Sequence, residues 1–205
     1  MTHEFKPNKA TKGIVIDWET SGNDWDAKTV YELAERYQGV SVGAIVFDTT
    51  TLEPIENLYI EIKFDENEYA WHGEAEAIHG LSRAHLEAVG VSQEDAAVQL
   101  GQLILRHFHP QEPILFLGHN TEYDKAFTHQ LLDKFGIMFK IHNTHLDTSG
   151  TGYINFGIHT SNDIFHFLGL PERQEHNALE DCKYTLESAK RMRLLMQTAL
   201  GQLTQ

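Results

Sequence analysis

The sequence predicts an α/β fold built on a mixed sheet, and three observations lead there. Apolar or alternating runs at 13–19, 40–47 and 58–64 come early in the chain, and helical patterns then alternate with a fourth such run at 114–118. A series of strands followed by helix–strand alternation is the pattern of a mixed sheet. No internal repeat, low-complexity tract or Pro/Gly-rich linker divides the chain.

Each element has its own justification. GIVIDWE (Gly13–Glu19) is a short apolar run with β-branched residues that ends in acid, which reads as a buried strand. Side chains alternate along a strand, so Asp17 and Glu19 face one way and Trp18 the other. Residues 22–40 are polar and acidic, with a helical turn expected around 31–37. VSVGAIVF (Val40–Phe47) and LYIEIKF (Leu58–Phe64) read as strands, the second with clean alternation. SQEDAAVQLGQLILRHF opens with Ser92 as a cap and sets Ala96, Leu100, Leu103, Ile104 and His107 on one helical face. Pro110 and Pro113 bound that helix. ILFLG (Ile114–Gly118) is a fourth buried strand, delivering the segment GHNTEYD. Helices are expected at about 122–135, 161–168 and 178–200. Asn177 reads as the cap of the last one, with Glu180 three residues on. That places His176 just outside the helix and Asp181 in its first turn.

Composition narrows the function classes. A chain of 205 residues with 41% hydrophobic content suits one domain with a sizeable core, taken as residues 13–200 after an N-terminal extension of 1–12. The N-terminal MTHEFKPNKATK has no signal-peptide core, and no run approaches the roughly 20 apolar residues of a membrane span. The single cysteine, Cys182, cannot form an internal disulfide and reads as a packed residue of the last helix. A cytoplasmic location is the expectation. Sixteen Lys and Arg against thirty Asp and Glu give a net charge of −14, the wrong sign for a protein that coats nucleic acid. Any nucleic acid should therefore be held at one end, with few phosphates neutralised by side chains and a shallow salt dependence.

Three segments carry the chemistry. Asp17 and Glu19 lie in IDWETSG, Asp124 closes GHNTEYD, and His176 and Asp181 bracket HNALED. Clustered carboxylates supply hard oxygen ligands to divalent ions, and histidine can take a proton from water near pH 7. Each acid also has an ordinary explanation. Asp124 and Asp181 sit where a helix dipole favours negative charge. Asp17 and Glu19 could be solvated at a strand end, although two same-face acids on a buried strand repel unless a cation lies between them.

The three segments resemble the three motifs of the DnaQ-like 3′-to-5′ exonucleases, in the DEDDh subgroup. Asp17, Glu19 and Thr20 match D-x-E-T. Gly118, His119, Asn120, Tyr123 and Asp124 match the second motif, and His176, Ala178 and Asp181 match H-x-A-x-x-D. The sister subgroup has a tyrosine where this chain has Asn177. AIHGLS (Ala77–Ser82), LDT (Leu146–Thr148) and FLGL (Phe167–Leu170) are weaker echoes, and the likeness runs from about residue 12 to about 195. The resemblance implies a ribonuclease-H-like five-stranded sheet with helices on both faces and the site at one edge. It implies two Mg²⁺ ions, with Mn²⁺ as a substitute, held by Asp17, Glu19, Asp124 and Asp181. It makes His176 the base and assigns Thr20, Asn120 and Tyr123 to substrate.

The activity so implied is release of nucleoside 5′-monophosphates from 3′ ends, with single-stranded DNA the first choice of substrate. RNA 3′-end trimming or oligoribonuclease action is the alternative, and a silent nucleic-acid binder or polymerase accessory is a second. A polymerase or replication partner is compatible with the resemblance, although the sequence does not identify one. One departure from the pattern concerns substrate. Where many relatives place an apolar wedge after T-G, this chain has Ser21, Gly22 and Asn23, leaving Trp25, or Trp71 with Tyr69, to supply a stacking surface. The histidine pairs His107/His109 and His142/His145 lack a thiolate or acidic partner at ligand spacing, so no dedicated zinc site is expected. His79 and His119 are expected to support the site by packing or hydrogen bonding. Asp147 and Asp163 are expected as capping or supporting acids.

Overall fold

A computed structural model describes residues 10–24, 26–173 and 176–203. Five strands form one sheet: β1 (Lys12–Thr20), β2 (Gly39–Asp48), β3 (Pro54–Glu61), β4 (Leu115–Gly118) and β5 (Leu146–Asp147). Their order across the sheet is β3-β2-β1-β4-β5. The first three pair antiparallel, and β4 and β5 continue in parallel, so the sheet is mixed as expected.

The alternation along β1 decides where everything else goes. Ile14, Ile16 and Trp18 point to one face, where they pack with α1 (Val30–Arg36), α4 (Gln93–His107) and α5 (Thr121–Lys134) through Leu33, Leu100, Leu103 and Phe127. Val15 points to the other face and meets Cys182 and Leu186 of α8 (Ala178–Leu203), together with Ile45, Phe47 and Leu117. Asp17 and Glu19 continue the Val15 row to the end of the strand. They therefore lie on the α8 side, beyond the apolar part of that layer.

The approach of α8 to the sheet depends on one small residue. Gly43 of β2 lies opposite Asp17, and a Cβ there would stand 2.4 Å from the backbone of Ala178. With no side chain in the way, the first turn of α8 rests directly on β2, and the Cys182 thiol donates to the Gly43 carbonyl at 3.2 Å. This close approach brings Asp181 to the end of β1.

The long elements fall close to their expected places. Ser92 caps α4, its hydroxyl accepting from the Asp95 amide at 3.0 Å, and the helix ends at His107, ahead of both prolines. Ala96, Leu100, Leu103 and Ile104 are buried, and His107 joins that face bonded to Glu56. Asn177 Oδ1 accepts from the Glu180 amide at 3.1 Å, which realises the predicted cap of α8. The third strand is displaced from its expected range, starting at Pro54 and ending at Glu61. It is an edge strand, which tolerates the proline, and Ile62 leaves it to pair with Val91.

Three short helices were not expected: α2 (Gly73–His79), α3 (Arg83–Val89) and α6 (Thr148–Phe156). The last contains Gly150 and Gly152, each costing about 1 kcal/mol of helix propensity. It is held instead by Asp147, which accepts from the Ser149 and Gly150 amides. It also packs closely on α7 (Ser161–Phe167), where a Cβ on Gly152 would meet Ile164 at 2.6 Å. No helix among the described residues is long and apolar enough to cross a membrane.

Candidate active site

Three chain segments converge at the end of β1. The strand itself presents Asp17 and Glu19. The β4–α5 turn presents His119, Asn120, Tyr123 and Asp124, and the start of α8 presents His176 and Asp181. All eight line one cavity of about 210 Å³. Oxygen atoms of Asp17, Glu19 and Asp181 lie within 4.8 Å of one another.

The two turns are shaped by unusual backbone. Asn120 adopts a left-handed conformation, φ 63, which asparagine tolerates better than most side chains. As the cap residue of α5 it makes no side-chain cap bond, and its amide group is exposed at the cavity. His176 is also left-handed, φ 58, a conformation that costs energy outside glycine and is often kept for a functional reason. That geometry turns an exposed imidazole toward the acid cluster from just outside α8.

Enclosure and mutual repulsion dominate the electrostatics. Burial first, then the Asp181 charge, pushes Asp17 up to about 8, while the Arg173 guanidinium draws it back. Burial, followed by the charges of Asp17 and Asp181, pushes Glu19 up to about 9, again opposed by Arg173. Asp124 is raised well above the carboxyl range by burial and then by Asp17, with the Trp18 amide opposing. Carboxyls that hold protons this strongly are short of positive charge. A set of hard oxygen donors at this spacing fits divalent cations.

The four expected ligands are not equivalent. Asp17, Glu19 and Asp181 form the tight cluster, while Asp124 lies on the same cavity wall with Oδ1 accepting from the Trp18 amide at 3.2 Å. Thr20 and Tyr123, both expected to meet substrate, bond to each other at 2.8 Å. Tyr123 lines the acid cavity, and both residues line a second one of about 230 Å³, which shares Glu19 with the first and is also lined by Gly22 and Asn23.

The supporting residues take defined roles. Asp147 caps α6 and also accepts from the amide and hydroxyl of Thr121 at 2.9 Å, which fixes the start of α5. Asp163 accepts from the hydroxyl of Thr160, the cap of α7. His119 bonds Thr148 Oγ1 at 3.0 Å, and burial lowers its pKa. His79 takes the Leu81 amide at 3.0 Å and lines the second cavity.

The stacking residues require correction. Trp71 packs edge-on against Phe64 at 4.9 Å beneath the Arg83 guanidinium, and Tyr69 lies under Lys134 in a separate cleft. Neither lines either of the two cavities. Both rings are committed to local packing, and Trp25 falls outside the described residues. The exposed apolar side chain that does line the second cavity is Ile78, 56% exposed. Sequence reasoning also missed Arg173, Phe165 and Ser161 in the wall of the acid cavity. Within the sequence, the only pointer to Ile78 was its place in AIHGLS, and nothing marked Arg173.

Comparison with known proteins identifies the family and the fold. A family model described as RNase_T exonuclease matches residues 14–188. No curated protein sequence matches the chain. The fold is similar to E. coli exonuclease I in complex with a dT13 oligonucleotide, with a TM-score of 0.70 and 17% identity over 92% of this chain and 43% of that one. It is similar to the zinc-ion-bound form of an E. coli exonuclease I–ssDNA complex, with a TM-score of 0.72 and 16% identity over 90% of this chain and 41% of that one. Exonuclease I from Methylocaldum szegediense gives a TM-score of 0.69 and 18% identity over 90% of this chain and 40% of its own. The chain thus spans well under half the length of each of these proteins.

Proposed function

This chain belongs to the exonuclease family whose model covers residues 14–188, and from that membership we propose a metal-dependent 3′-to-5′ exonuclease acting on single-stranded DNA. Its catalytic unit is residues 13–200, and its product is the nucleoside 5′-monophosphate. The observation that carries the reading is the convergence of Asp17, Glu19 and Asp181 oxygens within 4.8 Å, in a cavity also lined by Asp124 and His176.

Asp17, Glu19, Asp124 and Asp181 would hold two divalent ions, Mg²⁺ with Mn²⁺ as a substitute. Bound there, such ions would acidify water and offset the charge that builds on the phosphate oxygens. The remaining steps belong to the protein. His176 takes the proton of the attacking water. The new bond forms between that water oxygen and phosphorus, the bond from phosphorus to the 3′ oxygen breaks, and solvent protonates the departing 3′ oxyanion to a hydroxyl. Asp124, tied to the Trp18 amide, keeps the wall behind Asp17 in place.

The terminal nucleotide is placed by the residues between the two cavities. Tyr123 offers its hydroxyl on the shared wall, with Thr20 bonded to it from the second cavity, Asn120 offers its amide in the acid cavity, and Ile78 offers an apolar surface for a base. Solved relatives described as complexes with dT13 or ssDNA make single-stranded DNA the first substrate to try. The charge pattern supports end-binding over groove-binding. Arg36, Lys63, Arg106, Lys134 and Lys190 are each paired with a carboxylate, which leaves their charge partly neutralised within the protein.

Digestion of matched 5′-labelled DNA and RNA strands with purified protein and Mg²⁺ tests the reading. We expect a ladder that shortens from the 3′ end, faster on DNA. Faster shortening of RNA would replace the substrate while keeping the chemistry, and binding without cleavage of either strand would replace the enzyme with a silent binder.

A further inference from the structure

Arg173 stands inside the acid cluster. Its side chain is 8% exposed, and Nη1 forms an ion pair with Asp181 Oδ1. The guanidinium carbon lies 5.0 Å from the ring centre of Phe165 and 5.5 Å from that of Tyr184, so two aromatic rings hold the cation from the side. Nη2 donates to Asn162 Oδ1 at 3.4 Å, a second polar anchor away from the carboxylates. The buried Nε makes no hydrogen bond. An arginine placed only to brace the fold would use its planar fork of donors. Apart from the long bond to Asn162, this one is held by charge and by ring faces, which would let it slide.

The partner it has chosen matters. Asp181 is one of the three carboxylates whose oxygens approach within 4.8 Å, and a divalent ion held by the three would bind the same carboxylate that Arg173 contacts. A guanidinium and a divalent ion on one carboxylate repel each other strongly at such short range. Resting on the metal reading of the site, we propose that Arg173 is a built-in counter-cation, which occupies Asp181 in the metal-free protein and is displaced when the divalent ion binds. Phe165, Tyr184 and Asn162 keep the displaced guanidinium nearby. The arginine thereby stabilises the metal-free acid cluster and weakens metal binding by the fraction of molecules in which Asp181 is already taken.

Mn²⁺ titration of the full chain by calorimetry, with thermal melts in EDTA and in Mn²⁺, tests this on wild type, Arg173→Gln, Arg173→Lys and Asp181→Asn. Arg173→Gln should bind Mn²⁺ about tenfold more tightly or better, since no internal cation competes. It should melt lower than wild type in EDTA, with the gap closing in Mn²⁺. If Arg173→Gln does not fold without metal, Arg173→Lys carries the test. Its compact ammonium lies less well on the two rings, holds Asp181 less firmly, and should bind Mn²⁺ more tightly than wild type. Unchanged or weaker Mn²⁺ affinity in the Arg173 variants overturns the inference, as does an equal loss of melting temperature with and without metal. If wild type shows no Mn²⁺ binding that Asp181→Asn removes, the metal site itself is overturned, a result distinct from the other two.

Discussion

Asp124 and Asp181 both ride the first turn of a helix, and the two helix starts are built differently. At α5 the cap residue Asn120 is left-handed and makes no cap bond, while Asp147 reaches across from β5 to hold the Thr121 amide and hydroxyl. Asp124 is 4% exposed and is fixed by the Trp18 amide. At α8 the cap is local, made by Asn177 on the Glu180 amide. Asp181 is less enclosed and is balanced by a side-chain cation, Arg173. One aspartate is positioned by backbone and the other by a charge that can leave. The difference separates a fixed wall from a ligand whose occupancy can change.

The largest effects should separate the two acids by metal binding rather than by turnover. Asp181→Asn and Asp124→Asn should each lose turnover on the order of 10³-fold, the scale of charge stabilisation at a metal site. Calorimetry should find Mn²⁺ binding abolished in Asp181→Asn but retained, though weakened, in Asp124→Asn. Equal loss in both would break the comparison. Next in size, His176→Ala should lose about 10²-fold or more in rate, the usual scale for a general base. Its Mn²⁺ affinity should stay unchanged; a variant with wild-type rate would make His176 structural.

Smaller still is the pH dependence of the metal-free protein. Asp17 at about 8 and Glu19 at about 9 keep protons that the unfolded chain gives up at ordinary carboxyl pKa values. The folded state binds more protons in that window, so the stability these groups contribute is present in acid. It is lost as pH rises toward and through about 8 to 9. Melting temperature in EDTA should fall between pH 5 and pH 9 in about that way, and Mg²⁺ should flatten the fall. A flat profile in EDTA would contradict the enclosure of the cluster. The smallest effect tests the two caps. Asn177→Ala should cost about 1 kcal/mol in a chemical melt, whereas Asn120→Gly should be near neutral because no cap bond is lost and glycine accepts the left-handed turn.

How much was legible in the sequence follows the range of the forces involved. The strand β1, the helix α4 and the cap of α8 could be read because periodicity and capping act within a few residues. The acids and His176 could be read because their motifs are local. The short helices could not, since α6 carries two glycines and is stabilised by a cap and by packing on α7. Gly43 looked like an ordinary strand residue, and its importance appears only when Ala178 lies against it. Arg173 follows no spacing rule, and its role depends on Phe165, Tyr184 and Asp181 meeting in space. Trp71 and Tyr69 misled for the same reason in reverse. They are aromatic and close to a motif in sequence, but their partners are Phe64 and Lys134.

The most direct test of the account is a time course on a 5′-labelled single strand, comparing wild type in Mg²⁺, wild type in EDTA and Asp17→Asn in Mg²⁺. Stepwise shortening from the 3′ end with nucleoside 5′-monophosphate as product is expected in the first case, and an intact strand in the other two. Shortening that continues in EDTA or in the folded Asp17→Asn protein would contradict it.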